Sequence, residues 1–265
     1  MRNLLRRSFS GIIYVLLFLS AILFSEKSYL ILVTLFGFLC IWEFSKMIDL
    51  KGVATYIFYV VLLFLIYKTK HQSQALSIIL AVTIISSIHL LYQLFYKKEI
   101  LFSNARNKFG LTIRYIVFSM SFLILLPYFN TEFHPYLMIS ILSIIWINDS
   151  FAFLVGKNFG KNKLFPSVSP NKTVEGFLGG LTFALLAALF ISKFNRDFTM
   201  INWLIIGFLV SFFGSLGDLV ESKFKRQADL KDSGNIMPGH GGILDRLDSL
   251  LFVAPFVYLY INFLV

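Results

Sequence analysis

Charged residues are scarce in this chain of 265 residues: Asp, Glu, Lys and Arg together make 14%, against 57% apolar and 17% aromatic. A soluble domain carries roughly a quarter charged residues, so an ordinary water-soluble fold is excluded. Cysteine is nearly absent as well, and Cys40 alone cannot build an intramolecular disulfide framework. Only six prolines stand among 31 Phe and 12 Tyr, a composition that excludes a disordered chain. Acids are few, 14 against 24 Lys and Arg, which gives a formal net charge of +10. An excess of that size can mark nucleic-acid binding. In a chain with mean hydropathy +0.77, however, the commoner cause is Lys and Arg retained on the cytoplasmic side of a membrane, and no nucleic-acid partner is expected. What is present is an all-α polytopic integral membrane protein whose first partner is the lipid bilayer.

Crossing the hydrocarbon core takes about 20 apolar residues. Nine runs of that kind are predicted, over approximately 8–25, 28–48, 53–67, 75–95, 109–128, 135–155, 174–192, 201–220 and 246–265. The first follows Arg2, Arg6 and Arg7 without a small-x-small cleavage site before Glu26 and Lys27, and reads as a retained signal anchor. With the N-terminus placed in the cytoplasm, the inside loops hold eighteen Lys and Arg. The outside loops hold five, Lys27, Lys68, Lys70, Lys193 and Arg196, with Arg114 left within the fifth segment. That bias predicts a cytoplasmic N-terminus and, with nine crossings, an outside C-terminus, in the plasma (inner) membrane or its equivalent. Residues 1–134 form an N-terminal unit of segments one to five. Residues 135–265 are expected to form a C-terminal unit of segments six to nine, with cytoplasmic loops 156–173 and 221–245. Nine of the fourteen acids lie between Asp149 and Asp248, inside the second unit. Glu43 and His89, near segment ends in the first unit, read as interfacial or hydrogen-bonded rather than functional.

Chemistry is expected where polar residues interrupt the second unit. Asp149 stands about two turns before Gly156, a depth at which a carboxylate is expensive unless it is paired or lines a wet cavity. In the loop that follows, Ser169-Pro170 is expected to start a turn and Thr173 to cap the seventh segment. Lys172 then stands beside a helix N-terminus, a place that favours a phosphate. The plainer reading of that loop is a solvated turn whose lysines obey the charge bias. The eighth segment ends with Asp218 and Glu221 three residues apart on one face, at a C-terminus where the dipole disfavours anions by roughly 0.3–1 kcal/mol each. The ninth opens with Asp245 and Asp248 at the same spacing. If those two helices form an antiparallel hairpin, the acidic faces meet. Clustered carboxylates without Cys or His point to Mg²⁺ or Mn²⁺ rather than zinc, although salt bridges to Lys225, Arg226 and Arg246 are the alternative. Glycines flank His240 in Pro238-Gly239-His240-Gly241-Gly242, a turn that lets backbone N–H groups approach a ligand closely.

These residues resemble the phosphatidate cytidylyltransferases, enzymes that make CDP-diacylglycerol. The resemblance runs through Ser222-x-Phe224-Lys225-Arg226-x4-Lys231-Asp232-x-Gly234-x2-Met237-Pro238-x-His240-Gly241-Gly242-Ile243-x-Asp245-Arg246-Leu247-Asp248. Upstream it includes Trp146-x2-Asp149, Ser169-Pro170-x-Lys172-Thr173-x-Glu175-Gly176 and Gly179-Gly180. Met237 stands where that signature has Leu, Ile or Phe, a change that preserves apolar volume. Before residue 135 the similarity is only that of hydrophobic helices.

The resemblance implies a membrane enzyme using a divalent metal, Mg²⁺ with room for a second ion, with CTP and phosphatidic acid as substrates, and it implies a homodimer. On that reading Asp218, Asp245 and Asp248 hold the metal, with Asp149 and Glu221 as further candidates. Lys172, Lys225, Arg226 and Lys231 clamp phosphates. Ser169, Ser222 and His240 position them, and Thr173, Glu175, Asp232 and Arg246 complete the expected site. Two rivals make different demands. A CDP-alcohol phosphatidyltransferase needs an Asp-Gly-x2-Ala-Arg element, which is missing. An ion-coupled transporter usually sets its acids near the midplane, often within an internal repeat.

Overall fold

Lipid offers no hydrogen bonds, so long apolar runs fold as helices that satisfy their own backbone. The computed structural model describes residues 2–68, 74–100 and 102–265, with side chains from residue 9 onward. Lys70 and the side chains of Arg2, Arg6 and Arg7, which enter the charge count, lie outside the described residues. The helices are α1 (Arg2–Phe24), α2 (Glu26–Met47), α3 (Ala54–Lys68), α4 (Gln74–Tyr96), α5 (Ala105–Thr112), α6 (Phe118–Leu125), α7 (Pro135–Phe159), α8 (Val174–Ile191), α9 (Met200–Gln227) and α10 (Leu244–Phe263). A π-helical turn, Ile113–Val117, joins α5 to α6 in one continuous stretch. By length and composition, six stretches are apolar and long enough to cross a membrane: α2, α4, the α5–α6 unit, α7, α8 and α9. Phe9–Phe24 and Ala54–Lys68 are shorter apolar helices, and α10 opens on Asp245, Arg246 and Asp248.

Three boundaries differ from the sequence expectation, and each moves charged residues. First, α9 continues through Gln227, because Lys225 and Arg226 in its last turn complement the helix dipole. Asp218 and Glu221 therefore lie inside the helix rather than at its end, and Lys223, Lys225 and Arg226 are helical rather than in a loop. Second, α7 runs on to Phe159. Third, Ser169 does not start a turn. Strand β3 (Lys163–Phe165) pairs antiparallel with β4 (Ser169–Thr173), and the turn falls at Pro166–Val168. A second small hairpin pairs Tyr128–Phe129 with Glu132–Phe133, and Asn130 and Thr131 turn its tip at φ 50° and 68°. The fold is thus nearly, not wholly, α-helical.

Helices α9 and α10 do pack antiparallel. Asn202 meets Tyr260, Phe213 stacks on Phe256, and Lys225 meets Asp245. Apolar contact drives little association in lipid, so close backbone approach at small residues matters more. At Gly217 an added Cβ would lie 2.5 Å from Phe252 Cβ and 2.9 Å from the Asp248 carbonyl oxygen, so any side chain forces the helices apart. At Gly214 the nearest atom would be 3.5 Å away, an ordinary contact. Gly217→Ala should therefore lower thermal stability in detergent by about 1–3 kcal/mol, whereas Gly214→Ala should be nearly neutral. Equal melting temperatures for the two would show that the α9–α10 spacing is not set at Gly217. Helices of the N-terminal unit close on this pair: α2, α4 and α6 pack against α10, and α4 packs against α9. Phe44 and Tyr115 meet Phe224 ring to ring at 5.1 and 5.4 Å.

Candidate active site

The antiparallel pair creates the acidic centre. On α9, Ser222 Oγ donates to Asp218 Oδ1 (3.2 Å). The Lys225 ammonium pairs with Glu221 one turn back and donates to Asp245 Oδ1 across the helix pair at 2.8 Å. Glu221 is fully buried, and neither of its oxygens has a well-directed hydrogen bond, although Lys225 touches the carboxylate. Among the described residues Asp248 accepts only from its neighbour Ser249 N (2.7 Å), and it lies within electrostatic range of Asp218 and Asp149. Lys225 thus makes, at Glu221 and Asp245, the salt bridges that the sequence offered as the alternative to a bound cation.

The β3–β4 hairpin supplies the second wall. Lys172 on β4 extends its ammonium to Asp218 Oδ2 at 2.6 Å, tying the hairpin to α9. Thr173 caps α8 as expected, its hydroxyl accepting from Gly176 N at 3.1 Å. Glu175 is spent on structure: its carboxylate accepts from Lys161 N (3.0 Å) and from the Asn162 side-chain amide (2.8 Å), closing the hairpin onto α8. Gly156 approaches Thr173 and Gly176, so the closeness it permits is between α7 and α8 and not toward a phosphate. Ser169 is half-buried at the start of β4. Asp149 is exposed on α7, accepts from Asn148 Nδ2 (3.1 Å), and lies within electrostatic range of Asp218, Lys172 and Arg246.

The 228–243 segment closes the third side. Asp245 Oδ2 accepts from Ser233 N (2.9 Å), Ser233 Oγ (3.0 Å) and Gly242 N (2.7 Å). Gly242 N–H therefore serves Asp245, while Gly239 and Gly241 supply positive φ of 78° and 88° for the turn. His240 is half-buried against α1, its Nδ1 2.6 Å from Ser10 Oγ, and its carbonyl accepts from Arg246 Nη2 (3.0 Å). Lys231 and Asp232 are exposed. Glu43, set aside at the sequence level, is completely buried beneath this loop. A carboxylate within an apolar run is costly wherever it occurs, and that was the signal available for it.

Arg226 projects away from Lys225, donating to the carbonyls of Val168 (3.4 Å) and Leu230 (3.0 Å). It lines a cavity of about 490 Å³ together with Lys97, Lys98, Lys223 and Phe165. Lys223 is buried and donates to the carbonyls of Gln93, Leu94 and Lys97, capping the C-terminus of α4. Lys97 and Lys98, which the chain places beside Glu99 and far from the acidic segments of α9 and α10, are neighbours of Arg226 in space.

The centre is built of carboxylates, the oxygen ligands that a hard divalent cation takes. Asp218, Glu221 and Asp245 pair with two ammonium groups, those of Lys172 and Lys225, Asp149 and Asp248 lie within electrostatic range of them, and the Glu221 oxygens are buried without well-directed hydrogen bonds. Among the described residues no three His, Cys, Asp or Glu side chains are grouped closely enough to hold an ion as they stand, with the lysines paired to the acids.

A multi-helix membrane protein with an acidic, lysine-bridged centre is the class these features define. Across residues 5–264 the chain matches the model of the cytidylyltransferase family, and it belongs to that family. Over 116 residues it is 59% identical to a phosphatidate cytidylyltransferase of Bacillus subtilis (strain 168), a stretch covering 43% of this chain and 43% of that protein. Relatives of the same name from Staphylococcus aureus (strain COL) and Staphylococcus haemolyticus (strain JCSC1435) are 55% and 51% identical over 114 residues, 42% of this chain and 44% of each relative. The matched stretch spans less than half the length of these relatives.

Proposed function

We propose that this protein transfers CMP from CTP to phosphatidic acid, giving CDP-diacylglycerol and pyrophosphate. The observation that carries the reading is the α9–α10 hairpin, which gathers Asp218, Glu221, Asp245 and Asp248 around Lys225 and receives Lys172 from the β3–β4 hairpin, in a cytidylyltransferase-family chain. A phosphatidate oxygen attacks the α-phosphorus of CTP. The new P–O bond forms as the bond to pyrophosphate breaks, and the electron pair leaves on pyrophosphate. The attacking phosphate monoester is already largely ionised at neutral pH, so no strong base is needed. The protein's work is to bring two anions together, align them and offset charge. Lys172, Arg226 and Lys231 contact phosphate oxygens, Ser169 and Ser222 orient them, and Lys225 keeps the Asp245 side chain in place. Asp218, Asp245 and Asp248, with Asp149 and Glu221 beside them, would hold Mg²⁺, which when bound would supply positive charge to the leaving pyrophosphate. The site faces the cytoplasm at the membrane boundary, where the lipid headgroup arrives laterally and CTP from water, and the protein works as a homodimer.

Incubating the detergent-purified protein with labelled CTP and phosphatidic acid, with and without Mg²⁺, should yield CDP-diacylglycerol only with the metal. Failure to form that lipid under any metal condition would end this reading. Orientation is open to a separate check, because the one native thiol, Cys40, is buried. Cysteines at the exposed positions Ser167 and Asn235 should resist labelling from the outer side, and one placed after Val265 should react. Outside labelling of both loops would invert the topology. Arg226→Gln and Lys231→Gln should cost about a hundredfold in turnover, the scale of losing an oriented donor. Lys51→Gln, in the exposed α2–α3 connection, should stay within a few-fold of wild type, and equal activity in all three would reduce these cations to topology signals. Lys97 and Lys98 cannot serve as that control, since they line the cavity that holds Arg226.

A further inference from the structure

We propose that Glu43 is a positioning residue: from α2 it holds the start of α10, and through it the placement of Asp245 and Asp248. Glu43 is completely buried. Its Oε1 accepts from Ile243 N (3.1 Å), and its Oε2 accepts from Leu244 N (2.8 Å) and Ser233 Oγ (3.2 Å).

The first N–H groups of a helix lack intrahelical partners, and Ile243, at the N-cap of α10, brings no capping side chain. Glu43 does that work from 200 residues away in sequence, and its charge complements the positive end of the α10 dipole. The contact is built into the loop. An added Cβ at Gly234 would lie 2.4 Å from Glu43 Oε1, and one at Gly242 would lie 2.3 Å from it, so glycine at both positions admits the carboxylate. Ser233 extends the link, because its hydroxyl stands 3.2 Å from Glu43 and 3.0 Å from Asp245 Oδ2 and can donate to either. A tie thus runs from Glu43 through Ser233 to Asp245 and on to Lys225 and Glu221.

This role rests on the acidic centre being the metal site proposed above, and the test separates the two ideas. Glu43→Gln keeps the side chain's size but removes its charge and one acceptor. Hydrogen–deuterium exchange of the metal-free protein should quicken in peptides covering 233–248 and remain unchanged in α7 and α8. Mn²⁺ binding, followed by its paramagnetic resonance, should weaken about tenfold, the scale of losing an outer hydrogen-bond partner of a metal ligand. The Mg²⁺ concentration for half-maximal turnover should rise in parallel, with little change in KM for phosphatidic acid. A residue that merely fills space would move none of these in an isosteric variant. Wild-type exchange, Mn²⁺ affinity and Mg²⁺ dependence in Glu43→Gln would overturn the proposal. Faster exchange in a protein that never bound Mn²⁺, wild type included, would leave the helix tie standing and refute the metal reading instead. Should Glu43→Gln fail to fold, Ser233→Ala takes its place, removing the bridging hydroxyl without altering charge. Its exchange in 233–248 should quicken in the same direction, and no change there would break the tie.

Discussion

On the proposed function, Asp248→Asn is expected to reduce CMP transfer by roughly a thousandfold, the several kcal/mol that a metal-held charge would supply to the transition state, while leaving thermal stability at or above wild type. The expectation follows from what Asp248 does not hold. Among the described residues its carboxylate accepts from the adjacent Ser249 N alone, and it stands near Asp218 and Asp149, so neutralising it relieves like-charge crowding at no structural cost. Asp245→Asn should behave differently. Asp245 receives Lys225, two donors from Ser233 and the Gly242 N–H, and an amide cannot accept all of these. That variant should lose turnover and also about 3–5 kcal/mol of stability, as when one partner of a buried ion pair is removed. Asp218→Asn should resemble Asp248→Asn in rate, with a smaller stability loss, because its pairing with Lys172 is partly exposed. Turnover of labelled CTP at limiting Mg²⁺, alongside thermal unfolding of the same preparations, separates the cases. Near-normal turnover in both Asp218→Asn and Asp248→Asn would end the carboxylate–metal assignment.

The helices are legible because hydrophobic length is a local property: each apolar run is helical, although six stretches among the described residues are apolar and long enough to cross a membrane and α9 runs on to Gln227. The acidic face of α9 and the opening of α10 were legible for the same reason, since a spacing of three residues fixes a helix face wherever the helix lies. What required the fold was contact across sequence. Nothing near Glu43 in the chain announces Ile243 and Leu244, and its place near the end of α2 resembles that of an interfacial acid. Lys97 is far from Arg226 in the chain, and only the packing of α4 on α9 brings the two together. The misplaced ends of α7 and α9 share one cause. Polar residues were read as loop, although lysine and arginine extend a helix readily in its last turn. The glycine turn was read as open to a ligand because its N–H groups look free in sequence, whereas Gly242 serves Asp245.

Lys225→Met should be among the most disruptive single changes in the protein. One ammonium separates Glu221, fully buried, from Asp245, whose side chain is 6% exposed, and a thioether cannot balance either charge. The substitution leaves two carboxylates facing each other in a poorly solvated space, at about 3–5 kcal/mol, enough to unfold a marginal membrane protein in detergent. The arrangement also yields a rescue. Glu221→Gln removes the more deeply buried charge, so the double variant Lys225→Met/Glu221→Gln should recover at least about 1 kcal/mol relative to Lys225→Met, a coupling expected of residues in direct contact. Turnover should not return with stability, because Asp245 still lacks the cation that fixes its Oδ1 opposite Glu221. A double variant that regained both would reduce Lys225 to a counterion for Glu221. A Lys225→Met protein melting with wild type would mean that the bridge contributes nothing net, and that the α9–α10 pair is held by Gly217 and its aromatic contacts alone.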